Sequence, residues 1–226
     1  LSWSYNRGIA PVNPLERPGR LYRAARKDKV WTEQDEAAFM AHAPSHLHLP
    51  LTLALWTGQR QGDLLRLTWA AYDGETLRFS QSKTGARVLI PVGRPLKAAL
   101  DARRAEAQSA VTILATASGR SWTPDGFRTS WGKACAKAGI VDLTFHDLRG
   151  TAVTRLAIAG CTEAEIATIT GHSLRDVGAI LDSHYLRRDH QLAVSAIKKL
   201  ETRTKLQNEL QNDGTRSPSV PTACTG

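Results

Sequence analysis

Between Thr76 and Val92 the chain reads TLRFSQSKTGARVLIPV, and no other stretch limits its fold as much. Apolar residues alternate at Leu77 and Phe79, then at Val88, Ile90 and Val92, on either side of SKTG. A period of two flanking a glycine-containing turn predicts a β-hairpin with Lys83 at its tip. Elsewhere the pattern is helical. WTEQDEAAFMAHA offers Thr32 as a helix cap and Asp35 to complete a capping box. LHLPLTLALWTG fits both periods, and Pro50, tolerated in a first helical turn but poor inside a strand, favours a helix ending near Gly58. QGDLLRLTW continues as a short helix. Further helices are expected over roughly 94–108, 124–138, 146–159 and 162–169, then a segment ending near Tyr185 and a polar helix of about 187–211. The expected fold is mainly α with one small antiparallel β-sheet.

The ends of the chain carry its charge. The net charge is +9. Residues 1–30 hold Arg7, Arg17, Arg20, Arg23, Arg26, Lys27 and Lys29 against Glu16 and Asp28, a net +5. Residues 187–205 hold Arg187, Arg188, Lys198, Lys199, Arg203 and Lys205 against Asp189 and Glu201, a net +4. Either run alone reads as a solvated face. Two such runs beside a nearly neutral middle point to arms lying along phosphates, with Arg17, Arg20, Arg23, Arg26, Lys27 and Lys29 as candidate DNA contacts. Cys135, Cys161 and Cys224 are odd in number and widely spaced, which fits neither a disulfide framework nor a zinc site and suits a reducing cytoplasm. No apolar run approaches the ~20 residues of a membrane span. LSWSYNRG reads as the end of a helix closed by Gly8, followed by a basic linker with Pro11, Pro14 and Pro18. The start at Leu1 suggests that something folded precedes it in a longer parent. NDGTRSPSVPTACTG has the composition of a disordered tail.

Several short motifs carry reactive side chains, and each has a bland alternative. TGQRQGDLLRL puts Arg60 after a helix-ending glycine with Asp63 three residues on. HDLRGT sets His146 and Arg149 three apart at a helix start, where an ion pair of Arg149 with Asp147 or Asp176 and a satisfied His146 make the better reading of the motif alone. TGHS puts His172 after Gly171, and EIATITGHS also suits a helix-turn-helix. In DSHYLRRD, Tyr185 alone reads best as a packed ring.

Taken in order, Arg60, Asp63, Lys83, His146, Arg149, His172 and Tyr185 make the chain resemble the tyrosine recombinase (phage integrase) family, over residues 31 to about 190. The resemblance rests on TGQRQGDLLRLTW, SKTG, HDLRGT, TGHS and SHYLRRD. It implies that Tyr185 is the nucleophile, Arg60 and Arg149 clamp the phosphate, and His172 adds a third donor. His146 would assist proton removal, Lys83 would protonate the leaving 5′-oxygen, and Asp63 would support the site without reacting. The residue types suit the chemistry. A phosphodiester under attack gathers negative charge that planar, permanently charged guanidiniums meet with paired hydrogen bonds. A phenol with a reference pKa of ~10 needs help to attack. The implied reaction is transesterification through a 3′-phosphotyrosyl linkage, which keeps the bond energy and requires neither ATP nor a metal.

The same resemblance implies double-stranded DNA as partner and a homo-oligomer, a tetramer on two DNA sites, with room for accessory DNA-bending proteins and no membrane. It divides the chain into the end of an N-terminal core-binding domain with its basic linker (1–30), a catalytic domain (31–186), a C-terminal helix (187–212) and a tail (213–226). Leu192, Val194, Ile197 and Leu200 could pack that helix on a neighbouring protomer or back on its own chain. Two other functions stay open. One is nicking and rejoining in the manner of a type IB topoisomerase, and the other is a DNA-binding module or truncated regulator that does not cut.

Overall fold

A computed structural model of the chain describes residues 2–9, 11, 29–106, 110–184, 194, 197–202 and 204. Tyr185, Arg17, Arg20, Arg23, Arg26, Lys27, Leu192, Cys224 and the tail lie outside the described residues. The helices are α1 (Ser2–Asn6), α2 (Glu33–His42), α3 (His48–Thr57), α4 (Gln61–Leu65), α5 (Arg94–Glu106), α6 (Pro124–Lys137), α7 (Asp147–Ile158), α8 (Glu163–Thr170) and α9 (Leu174–His184). Single 3-10 turns at Ser45–Leu47 and Trp69–Ala71 join α2 to α3 and lead into the hairpin. Strands β1 (Thr76–Ser80) and β2 (Arg87–Pro91) form the one sheet among the described residues. Residues 194, 197–202 and 204 are helical.

Local signals set the ends of these elements. Thr32 and Asp35 make the reciprocal capping box of α2, and Thr162 and Glu165 make another on α8. Each cap contributes about 1 kcal/mol. Gly58 closes α3 in the left-handed region at φ +61°, with Pro50 in the first turn as its chemistry allows. In the hairpin, Leu77 opposes Ile90 and Phe79 opposes Val88, and all four are buried. Each inward side chain contributes roughly 1.5–3 kcal/mol by leaving water. Arg78 and Leu89 point the other way.

The main core is aromatic at one end. Trp31, Phe39, Phe127, Trp131 and Phe145 stack or meet edge to face, with centroids 4.4–5.8 Å apart. A smaller apolar cluster joins α7, α8 and α9 through Val153, Ala157, Ile166, Val177 and Leu181. Helix α7 is the shared element, since it packs on α3, α8 and α9. Polar contacts hold it and the loop before it as well. The Trp31 backbone N–H donates to Thr151 Oγ1 at 3.0 Å, the Trp31 indole N–H donates to the Thr144 carbonyl at 3.1 Å, and Arg155 pairs with Glu36. The stretch after α5 pairs back on the chain through Thr68 with Thr112 and Ala115 with Ser121, contacts that the sequence pattern did not suggest.

Candidate active site

Four chain segments bring the candidate residues together: the turn after α3, the tip of the hairpin, the start of α7 and the end of α8. The turn after α3 can be tight because Gly58 has no side chain. A Cβ there would stand 2.8 Å from Thr170 Cγ2. Arg60 follows at the N-cap of α4, partly buried, and its Nη1 donates to Gln81 Oε1 at 3.0 Å. Asp63 is buried one turn on. Its Oδ1 accepts from the Ser82 backbone N–H at 3.1 Å, from Ser82 Oγ at 2.9 Å and from Arg66 at 2.9 Å. Asp63 thus grips the residue before Lys83, which is exposed at the hairpin tip.

Arg149 lies on the first turns of α7, and it does not bond the carboxylates that the sequence offered as partners. Its Nη1 donates to the carbonyl of Gly58 and, at 2.8 Å, to the carbonyl of Thr170. Asp147 instead holds the loop before α7, accepting from the backbone N–H and the hydroxyl of Thr144 at 2.7 Å each. The Nη2 of Arg149 is buried and has no hydrogen-bonding partner among the described residues. His146, three residues back, is exposed at the N-cap of α7.

Gly171 closes α8 at φ +65° and turns the chain so that His172 faces back on the helix end, with Nδ1 2.8 Å from Thr170 Oγ1. The Thr170 hydroxyl gives its single hydrogen to the Ile166 carbonyl at 2.7 Å. Nδ1 of His172 therefore carries the proton of the neutral ring, and Nε2 is left as an acceptor. Donation by Nε2 to a phosphate oxygen needs a second proton.

The electrostatics report the same convergence. Burial, then the nearby Arg60 charge, brings Arg149 down to about 10, with Asp63 and Asp176 acting the other way. Burial, then the charges of Arg149 and Arg60, holds His172 at about 3, with Asp176 opposing and His146 adding a little. The site is a concentration of positive charge held partly out of water, the arrangement that attracts a phosphate.

The sequence reading missed the residues that tie these groups together. Gln81 is fully buried, and its Nε2 donates to the Thr170 carbonyl at 2.9 Å and to Gln59 Oε1 at 2.7 Å. Gln59 in turn donates to the carbonyls of Thr57 and Ile169. A signal was present: Leu77, Phe79 and Gln81 share the inward parity of the strand, so an amide stands where the pattern asks for an apolar residue. Of the candidate DNA contacts, the one described, Lys29, pairs with Asp142.

The family model for the phage integrase family matches residues 29–209. The chain belongs to this family. Its relatives include a shufflon-specific DNA recombinase of Escherichia coli, 26% identical over 204 residues, and an integrase of Escherichia phage HK022, 30% identical over 155 residues. These matches take in 88% and 63% of this chain but 49% and 43% of the relatives, so it spans about half their length. The fold is likewise that of a lambda integrase dimer (residues 75–356) solved on a COC′ core site. The TM-score is 0.70 at 23% identity, covering 83% of this chain and 71% of that one.

Proposed function

We propose that this integrase-family chain is the catalytic part of a site-specific DNA recombinase of a mobile element, which cuts and rejoins duplex DNA by transesterification. The observation that carries the reading is that Arg149 and His172 both bond Thr170, that Arg60 is tied to the same residue through Gln81, and that a buried guanidinium nitrogen of Arg149 has no hydrogen-bonding partner among the described residues. A buried unpaired donor costs free energy unless a ligand uses it, and a phosphate oxygen is the acceptor that two guanidiniums suit best.

In the proposed reaction Tyr185 Oη attacks phosphorus and passes its proton towards His146. The bond from phosphorus to the 5′-oxygen breaks, and that oxygen takes a proton from Lys83. The developing charge on the non-bridging oxygens meets Arg60, Arg149 and His172. A 5′-hydroxyl from another strand then attacks the 3′-phosphotyrosyl linkage and releases Tyr185. The diester energy is kept throughout, so the scheme calls for neither ATP nor a metal. The role of Tyr185 rests on SHYLRRD and on family membership.

Residues 1–30 are assigned to the end of a core-binding domain and its linker along the DNA, 31–186 to the catalytic domain, 187–212 to a helix that packs on a neighbouring protomer, and 213–226 to a tail. The exposure of Val194, Ile197 and Leu200 supports protomer packing, while Lys199 Nζ donates to the Gly160 carbonyl of its own chain at 3.2 Å. The DNA-bound lambda integrase dimer supports duplex DNA and a homo-oligomer as partners. The finer assignment is a tetramer on two sites, acting in the cytoplasm with accessory DNA-bending proteins.

The test is covalent trapping on nicked duplexes bearing the recombination site of the element that encodes the chain, run on denaturing gels against Tyr185→Phe. An adduct made by the wild type and absent from the variant supports the reading. DNA binding with no adduct, even within the full-length parent, would favour a module that does not cut. Relaxation of supercoiled plasmid at random sites would favour the topoisomerase-like alternative.

A further inference from the structure

Gln81 is not a residue type that carries phosphoryl transfer, yet it spends its whole side chain at the site. Its Oε1 accepts from Arg60 Nη1 and from Thr84 Oγ1 at 3.0 Å each, while Nε2 donates to the Thr170 carbonyl at 2.9 Å and to Gln59 Oε1 at 2.7 Å. Two bonds accepted and two donated fill the capacity that a carboxamide uses in a folded chain. No other side chain reproduces the set. Glutamate has no donor for Thr170 and Gln59, asparagine is one methylene shorter, and methionine matches the shape with neither function. The site lies on the inward face of the hairpin, where an apolar residue would be buried without the desolvation cost of an amide.

The four partners belong to three separate places: Gln59 and Arg60 after α3, Thr84 in the hairpin turn, and Thr170 at the end of α8. The same Thr170 carbonyl accepts from Arg149. The Gln81 backbone closes the Lys83 turn, donating to the Ala86 carbonyl at 2.9 Å and accepting from Gly85 at 2.8 Å. Crowding adds a further restraint, because a Cβ on Gly171 would stand 2.3 Å from Gln81 Nε2. Arg60 and Arg149 repel each other, and Arg60 is only partly buried. Left unheld, its guanidinium would gain by turning towards water before DNA arrives.

We propose that Gln81 is a positioning residue for strand transfer, which ties the Arg60 guanidinium through its amide to the Thr170 carbonyl that also binds Arg149 and keeps the Lys83 turn docked beside them. This rests on the recombinase reading above. Its effect is preorganisation: the two arginines keep one spacing in free protein, and none of their arrangement has to be made at the transition state.

The experiment is single-turnover adduct formation by the whole 226-residue chain on the nicked duplex, with DNA affinity measured separately. The variants are Tyr185→Phe, Gln81→Met, Gln81→Glu, Arg60→Lys and Arg60→Lys with Gln81→Met. Gln81→Met is expected to slow cleavage about 10²-fold at nearly unchanged affinity. Gln81→Glu, which keeps an acceptor for Arg60, is expected to retain more of the rate. In the Arg60→Lys background Gln81→Met should add little, because the two changes remove one interaction. A wild-type rate in Gln81→Met, or a loss that multiplies in full with that of Arg60→Lys, would overturn the proposal. If Gln81→Met does not fold by circular dichroism, Gln81→Glu with and without Arg60→Lys decides on the same criterion of non-additivity. No adduct from the wild type would sink the recombinase reading and this role with it, whereas a wild-type adduct with undiminished Gln81 variants would sink the role alone.

Discussion

Arg149 donates from Nη1 to the carbonyl of Thr170, 2.8 Å away, although the two residues stand on different helices. The last carbonyls of a helix have no partner within it, and here a buried arginine supplies one. That bond also fixes which nitrogen of the guanidinium is left over. Arg149→Lys replaces a planar fork with a single point charge on a flexible stem. Adduct formation should fall about 10³-fold, by comparison with other arginines that act on phosphoryl transition states. Single-turnover cleavage alongside a binding isotherm checks this, and a loss confined to affinity would contradict it.

Gly171→Ala should disturb the site more than its backbone strain accounts for. Gly171 and Gly139 share positive φ values of +65° and +72°, but a Cβ on Gly139 would meet nothing within 4 Å whereas one on Gly171 would collide with Gln81. Both alanine variants should lose roughly 1–2 kcal/mol through the left-handed backbone. Only Gly171→Ala should lose more and also slow cleavage. Urea denaturation of both proteins gives the comparison.

Burial and the arginine charges hold His172 at about 3, against an ordinary value of 6.5. Between those values the unfolded chain binds a proton there and the folded chain does not. Stability from this group is therefore complete above about pH 6.5 and falls as pH drops towards 3. Denaturation at about pH 7.5 and about pH 5 should show a larger loss for wild type than for His172→Asn. A bound phosphate offsets the arginine charges, so DNA binding should take up a proton at Nε2, and affinity should tighten at lower pH in wild type more than in His172→Asn.

Asp63 and Lys83 should behave as one unit in leaving-group departure. Asp63 holds both the backbone N–H and the hydroxyl of Ser82, the residue before Lys83. A thiol, with a reference pKa of ~8.5, leaves without an acid, whereas an alcohol does not. Substituting sulfur for the leaving 5′-oxygen should restore cleavage to Lys83→Ala, and in large part to Asp63→Ala, while leaving Arg149→Lys slow. Equal rescue of all three would remove the general-acid assignment.

The N-terminal arm can be tested without chemistry. Deleting residues 1–28 removes Arg7, Arg17, Arg20, Arg23, Arg26 and Lys27. DNA affinity should fall, and its logarithmic salt dependence should flatten by close to one unit per lost phosphate contact. An unchanged slope would show that the arm does not touch DNA.

Much of this chain was legible before folding because its signals are local. Gly58 and Pro50 bound α3, Thr32 and Asp35 start α2, and the alternation around SKTG makes the hairpin that carries Lys83. Each depends on residues within one or two turns of each other, which fixes their meaning in any context. Motif order likewise placed the chain in the phage integrase family. Gln59 and Thr170 gave no such reading, and the inward parity of Gln81 marked its place without naming its partners, because the value of a polar side chain is set by what it meets. The contacts of Gln81 with Gln59 and Thr170 span 22 and 89 residues. The sequence by itself determined the elements and the reactive residue types. Only the tertiary structure decided that Arg149 would bond two carbonyls rather than a carboxylate, that His172 would be neutral with its proton on Nδ1, and that one buried amide would join the two arginines. Hydrogen bonds and desolvation depend on distances across the fold, and those exist only once the segments have packed.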